Sequence, residues 1–142
     1  MDDVNVGIVG LGNVGSGTVT ILAENAEPIA QKLGFHLRVR IVSSLDADSR
    51  ALPEALGSVE RTLDWRQVVT HPEVDIVVEL IGGTTVAREI LETAIDNQKS
   101  VITANKELMA LCGPDIWDRA IRAGVNVAME ASVAGSRKRC SI

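Results

Sequence analysis

The feature that most constrains this 142-residue chain is an octapeptide near its middle, Val74–Ile81 (VDIVVELI), apolar almost throughout and cut off by Gly82-Gly83. A strand with one wet face alternates apolar and polar residues, whereas a strand covered on both faces does not. The run is therefore read as a strand buried from both sides, which calls for a parallel sheet between layers of helix. The flanking sequence supplies those layers. Val4–Val9, Phe35–Val42, Arg61–Leu63, Ser100–Thr103 and Val125–Met129 read as further strands, giving six. Apolar residues recur at helical spacing over Val14–Leu33, which Gly34 ends, and again from Thr84 or Thr85 to Gln98, where Ala87, Ile90, Leu91, Ala94 and Ile95 share a face. Asp64 is placed to cap a short helix over Asp64–Val69. Lys106–Leu111 reads as one or two helical turns stopped by Gly113-Pro114, with a separate helix from Pro114 to Ala123 closed by Gly124. Strands alternating with helices define an α/β class with a doubly wound parallel sheet, and the length holds one such domain.

Composition narrows the function classes. Hydrophobic residues make up 46% and charged residues 23%, a globular balance. Aromatic residues are only 2% (Phe35, Trp65, Trp117), so platforms for stacking single-stranded bases are lacking. A net charge of −5 argues against a phosphate-backbone binder, and no apolar run approaches membrane-spanning length. Cys112 and Cys140 lack metal-ligand spacing, and the chain opens on acids (MDDVNVG) where a secretion signal carries positive charge. The expectation is a cytoplasmic domain with no nucleic-acid or membrane partner.

The turn after the first strand carries the first chemistry. Gly10, Gly12 and Gly15 form G-x-G-x-x-G, preceded by a strand and followed by a helix, with a second strand ending about 30 residues on. Gly10 permits the tight turn, Gly12 close approach of the backbone to a pyrophosphate, and Gly15 tight helix–strand packing. The N–H groups of Asn13, Val14 and Gly15 then face the anion, helped by the helix dipole. This is the dinucleotide-binding arrangement of a Rossmann-type domain. At the end of the second strand, where an acid would mark NAD and a basic side chain NADP, the chain reads Val42-Ser43-Ser44-Leu45-Asp46. Ser43 and Ser44 can hydrogen-bond either cofactor; their small size leaves room for a 2′-phosphate, a slight lean to NADP.

Ligands of such sheets sit at the carboxyl ends of the strands. Three segments converge there, Glu79–Gly83, Thr103–Ala110 and Glu130–Gly135, which adds Gly82 and Thr103 to the expected cofactor-binding set. Lys106 is their one cation. A lysine at a helix N-terminus opposes the dipole, so its position points to contact with cofactor or substrate oxygen. His71-Pro72 reads as a turn, His36 as an outward strand residue, and Trp117, Met109 and Met129 as packing residues.

Taken together, GIVGLGNVGSGTV, VVELIGG, VITANKELMA and MEASVAG resemble, in order and spacing over residues 4–135, the nucleotide-binding half of homoserine dehydrogenase. The resemblance implies NAD(P)-dependent interconversion of L-homoserine and L-aspartate 4-semialdehyde, in threonine and methionine biosynthesis. It further implies a role in catalysis beside the nicotinamide for Lys106, and a sodium ion held mostly by backbone carbonyls of the segment containing Glu130, Val133 and Gly135. A hard cation suits such oxygen ligands. It implies, finally, a full-length protein that is a homodimer or larger. The chain departs from the pattern after Gly135, where it reads SRKRCSI instead of a second glycine and an apolar stretch. Residues 1–135 are thus expected to form the NAD(P)-binding domain and 136–142 an atypical basic tail, without the substrate and dimerisation domain and without turnover alone. The alternative is a regulatory NAD-sensing module such as those gating potassium transport systems, which predicts an acid ending the second strand and has no need of TANKELMA.

Overall fold

The structure, a computed structural model, describes residues 3–10, 27, 28, 31, 34–44, 59–81 and 83–129. Strands β1 (Asp3–Val9), β2 (His36–Ser43) and β3 (Glu60–Thr62) are followed by helix α1 (Trp65–Val69) and strand β4 (Ile76–Glu79). Helix α2 (Val86–Asp96), strand β5 (Ser100–Thr103), helix α3 (Lys106–Ala123) and strand β6 (Val127–Met129) complete the order. All six strands lie in one parallel sheet, ordered β3-β2-β1-β4-β5-β6. The connections reverse direction between β1 and β4, which places a ligand crevice at the carboxyl ends of those two strands.

The apolar octapeptide lies at the centre of this sheet. Val77 joins the larger core, with Val68 of α1, Ile90 and Leu91 of α2, and Leu108 and Ile116 of α3. Its neighbour Val78 joins Val6, Ile8, Val39 and Val42 in a second cluster. The regular strand is shorter than the apolar run at both ends. Val74 is drawn into a turn, its N–H donating to the His71 carbonyl at 3.2 Å. At the other end the Ile81 N–H is taken by the Glu79 side chain at 2.9 Å rather than by a neighbouring strand.

Gly7 is required by packing. A Cβ there would stand 2.6 Å from Val68 Cγ1, so α1 sits against β1 only because this position has no side chain. Asp64 caps α1 as expected, accepting from the Arg66 N–H at 3.0 Å. Thr85 occupies the capping position of α2 without making a side-chain cap bond.

The two helices expected around Gly113-Pro114 are present, joined end to end within α3 at Cys112, whose backbone (φ −138°, ψ 20°) is not helical. Pro114 cannot donate to the Ala110 carbonyl and its ring crowds that carbonyl, so the backbone bends just before it. Leu108, Met109, Cys112, Ile116 and Ala120, on both sides of the break, share the larger core. Gly124 (φ +76°) closes α3, donating to Ala120 and Ile121 carbonyls as a C-terminal glycine should. Arg119 clamps α3 to α2 with two bonds to the Asp96 carboxylate, 2.9 and 2.7 Å.

Candidate functional site

The one charged residue of the apolar octapeptide's second half, Glu79, is completely buried at the end of β4. Burying a carboxylate is costly unless its oxygens are satisfied. Here the Thr103 hydroxyl donates to Oε1 at 2.6 Å and the Ile81 N–H to Oε2 at 2.9 Å. Thr103, itself fully buried at the end of β5, also accepts from the Asn105 N–H at 3.0 Å. Asn105 caps α3: its Oδ1 accepts from the Leu108 N–H at 2.9 Å, while its Nδ2 donates to the Gly83 carbonyl. Lys106 follows as the first residue of α3 and is exposed. Buried Glu79 and Thr103 thus fix the ends of β4 and β5, and Asn105 joins the loop after one to the helix after the other.

Two clefts flank that loop. One, of about 370 Å³, is lined by Glu79, Leu80, Gly83, Asn105 and Lys106 among others. The other, of about 510 Å³, lies over the ends of β1, β2 and β4 and is lined by Ser43, Ser44, Leu63, Trp65, Ile81 and Val86 among others. Gly83 lines both. Both volumes fall within the about 300–1,000 Å³ of small-molecule sites. Leu63, Ile81 and Val86 are three of the five large hydrophobic side chains exposed among the described residues, so the larger cleft gathers apolar surface that folding leaves uncovered. Arg66 stacks its guanidinium over Trp65, 4.5 Å from the ring centroid.

Gly10 stands between the strands that open the crevice. Its φ is +107°, and a Cβ would meet Ile81 Cγ2 at 2.9 Å and the Leu80 carbonyl carbon at 3.0 Å. Its N–H donates to the Ser43 carbonyl at 2.7 Å, tying the turn after β1 to the end of β2. Any side chain at position 10 would therefore push on the loop that separates the two clefts.

Of the residues singled out from sequence, the structure brings Gly10, Ser43, Ser44, Thr103 and Lys106 to the carboxyl edge. Ser43 is 3% exposed and Thr103 is fully buried with its hydroxyl engaged by Glu79 and Asn105, so Thr103 supports the edge from behind. Gly12, Asn13, Val14, Gly15, Gly82, Glu130, Val133 and Gly135 lie outside the described residues. Among the described residues no group of three or more His, Cys, Asp or Glu is placed to hold a metal ion, and no helix is long and apolar enough to cross a membrane. His71 is a turn residue, its Nδ1 accepting from the Glu73 N–H at 3.1 Å. Trp117 packs half-buried on the larger core, its indole N–H buried without a partner.

Sequence reasoning gave no role to the two residues that organise this edge. Glu79 had a signal, a carboxylate inside a doubly buried run; Asn105 had a weaker one, an asparagine three residues before the first buried leucine of a helix.

A six-stranded parallel sheet in this order, with a glycine turn and paired clefts at its carboxyl edge, defines a dinucleotide-binding α/β domain. The family described as homoserine dehydrogenase, NAD binding domain, matches residues 10–130, and the chain belongs to it. A homoserine dehydrogenase of Pseudomonas aeruginosa is 46% identical over 136 residues, covering 95% of this chain and 30% of that protein. The crystal structure of a homoserine dehydrogenase from Thiobacillus denitrificans is similar with a TM-score of 0.82 and 45% identity, over 92% of this chain and 30% of that one. The S. aureus homoserine dehydrogenase crystallised at pH 7.5 gives 0.82 and 34%, over 93% of this chain and 33% of that one. The chain thus spans about 30% of the length of these relatives.

Proposed function

We propose that this chain is the nucleotide-binding part of a homoserine dehydrogenase, residues 1–135 forming the domain and 136–142 a basic tail. It takes NAD or NADP along its carboxyl edge. The complete protein interconverts L-homoserine and L-aspartate 4-semialdehyde in threonine and methionine biosynthesis, in the cytoplasm, as a homodimer or larger. The observation that carries this reading is the pair of clefts meeting at Gly83, with side-chain-free Gly10 behind the partition and Lys106 in the smaller cleft.

The residues fit a dinucleotide. Leu63, Ile81 and Val86 offer apolar walls for a flat base in the larger cleft, and the Ser43–Ser44 edge offers small polar groups for a ribose. The helix-side N–H groups of Asn13, Val14 and Gly15, with Gly12 and Gly82, complete the phosphate cradle in this reading, though they lie outside the described residues. Because β2 ends at Ser43 and not at an acid, NADP is favoured over NAD. Held along the edge lined by Ser43, Ser44 and Gly83, a nicotinamide dinucleotide would supply hydride-transfer chemistry. The chain's own contribution is Lys106, whose Nζ serves the substrate oxygen as a proton-relay group or charge partner while the C–H bond breaks. A sodium ion on carbonyls of Glu130, Val133 and Gly135 belongs to the same proposal as a structural element, and no step passes through it.

Titration of the 142-residue chain with reduced NADP and NAD is expected to show binding, tighter for NADP, and no homoserine-dependent cofactor reduction. Lys106→Ala in the complete enzyme is expected to cut turnover by about 10²–10⁴-fold with the fold intact, the usual contribution of a positioned proton-transfer group. Full turnover in that variant overturns the role of Lys106.

A further inference from the structure

We infer that Asn105 is a positioning residue that locks the first turn of α3, and with it Lys106, to the partition between the two clefts; the inference rests on the reading that this edge takes a nicotinamide dinucleotide. A helix cap needs only an acceptor, and aspartate or serine supplies one as well as asparagine does. Asn105 does more than cap. It is 8% exposed and holds three segments at once: the end of β5 through its N–H to Thr103 Oγ1, the first turn of α3 through Oδ1 to the Leu108 N–H, and the partition through Nδ2 to the Gly83 carbonyl. The third bond requires a side-chain donor, which is the one thing aspartate lacks.

Its place gives that bond a consequence. The partner carbonyl belongs to Gly83, which lines both clefts, and the next residue in the chain is Lys106, which lines one of them. Gly83 has φ +75°, and a Cβ built on it meets nothing within 4 Å among the described residues. The amide of Asn105 ties the Gly83 carbonyl from the first turn of α3. Behind Asn105, the Thr103 hydroxyl is oriented by the buried Glu79 carboxylate, so the amide is presented from a fixed base. A ligand spanning both clefts must meet the partition and the α3 turn in one relative placement, and Asn105 sets it.

The test separates the cap from the tie. Asn105→Asp keeps the cap acceptor, suits the helix dipole and removes the donor to Gly83. In the 142-residue chain it is expected to melt within a few degrees of the native protein and to bind reduced NADP about tenfold more weakly, the scale of one lost hydrogen bond. Asn105→Ser, also a competent cap, is expected to weaken binding equally. Amide hydrogen exchange is read alongside: faster exchange over residues 83–86 with the first turn of α3 unchanged is the signature of the lost tie. Native-like binding in both variants, or weakened binding accompanied by a melting point lowered by more than about 10 °C, overturns the inference. If the native chain binds neither reduced NADP nor reduced NAD, the functional reading falls and the exchange pattern alone decides the tie, unchanged exchange over 83–86 overturning it.

Discussion

Among the described residues each end of this sheet buries one charge, and the two ends do so differently. At the amino end Lys99, 7% exposed, donates from its ammonium to the carbonyls of His71 (2.7 Å) and Val74 (2.8 Å). Both partners lie in one turn, so the lysine closes that turn. At the carboxyl end Glu79 is shared between the loop after its own strand and the hydroxyl of the next strand, and it lines a cleft. A buried charge with all its partners in one turn is architecture. One that joins two loops beside open space sets the relative position of groups that a ligand meets. Cost is similar at both ends, since both groups lose water; what differs is what each holds together.

The comparison breaks most visibly at Glu79. Glu79→Ala strips the acceptor from two buried donors and leaves a void, and it is expected to destabilise by about 3 kcal/mol. In a chain of this size that is roughly 10 °C in thermal melting. It is also expected to abolish measurable dinucleotide binding at temperatures where the variant remains folded. Lys99→Met keeps the aliphatic stem but leaves two carbonyls unpaired, with an expected cost of about 2 kcal/mol and dinucleotide affinity unchanged. Equal losses of affinity in the two variants would erase the distinction between the ends.

A pH series sharpens it further. Burial pushes the Lys99 ammonium below the ordinary lysine range, with the nearby Asp75 charge opposing. The unfolded chain therefore keeps that proton to higher pH than the folded one, and stability from this site rises as pH climbs from the folded value toward 10.5. Melting curves should show the gap between native and Lys99→Met widening from neutral to alkaline pH; a constant gap contradicts it. The smallest effect belongs to the α2–α3 clamp. Hydrogen bonding to Arg119 holds Asp96 below its ordinary value, a contribution present above pH 3.8 and lost as pH falls through the folded value. The pair is largely exposed, so Asp96→Asn is expected to cost less than about 1 kcal/mol at neutral pH and nothing in strong acid.

The sheet was legible because burial writes itself into composition. Val77 and Val78 face opposite cores, so both had to be apolar, and an unbroken run was the only sequence that could satisfy them. The break in α3 was legible: Gly113-Pro114 announces it, and the two helical pieces meet at non-helical Cys112. What no local pattern records is that both pieces share the core beneath Leu108 and Ile116. At the candidate site Gly10 and Lys106 stood out because their residue types are unusual for their positions. Asn105 did not, because a capping asparagine looks the same in sequence whether its amide is idle or tied to Gly83 22 residues away. The extra bond is a fact of three dimensions.

Trp65 in the wall of the larger cleft has a practical consequence. The chain contains two tryptophans and no tyrosine, and the second, Trp117, is packed half-buried against the main core from α3. Excitation of the indoles therefore reads two environments, of which one belongs to the cleft. Trp65→Phe leaves the core signal alone, and the difference between the two emission spectra isolates the cleft. The protein thus carries its own optical reporter, able to register a guest in that cleft without any label.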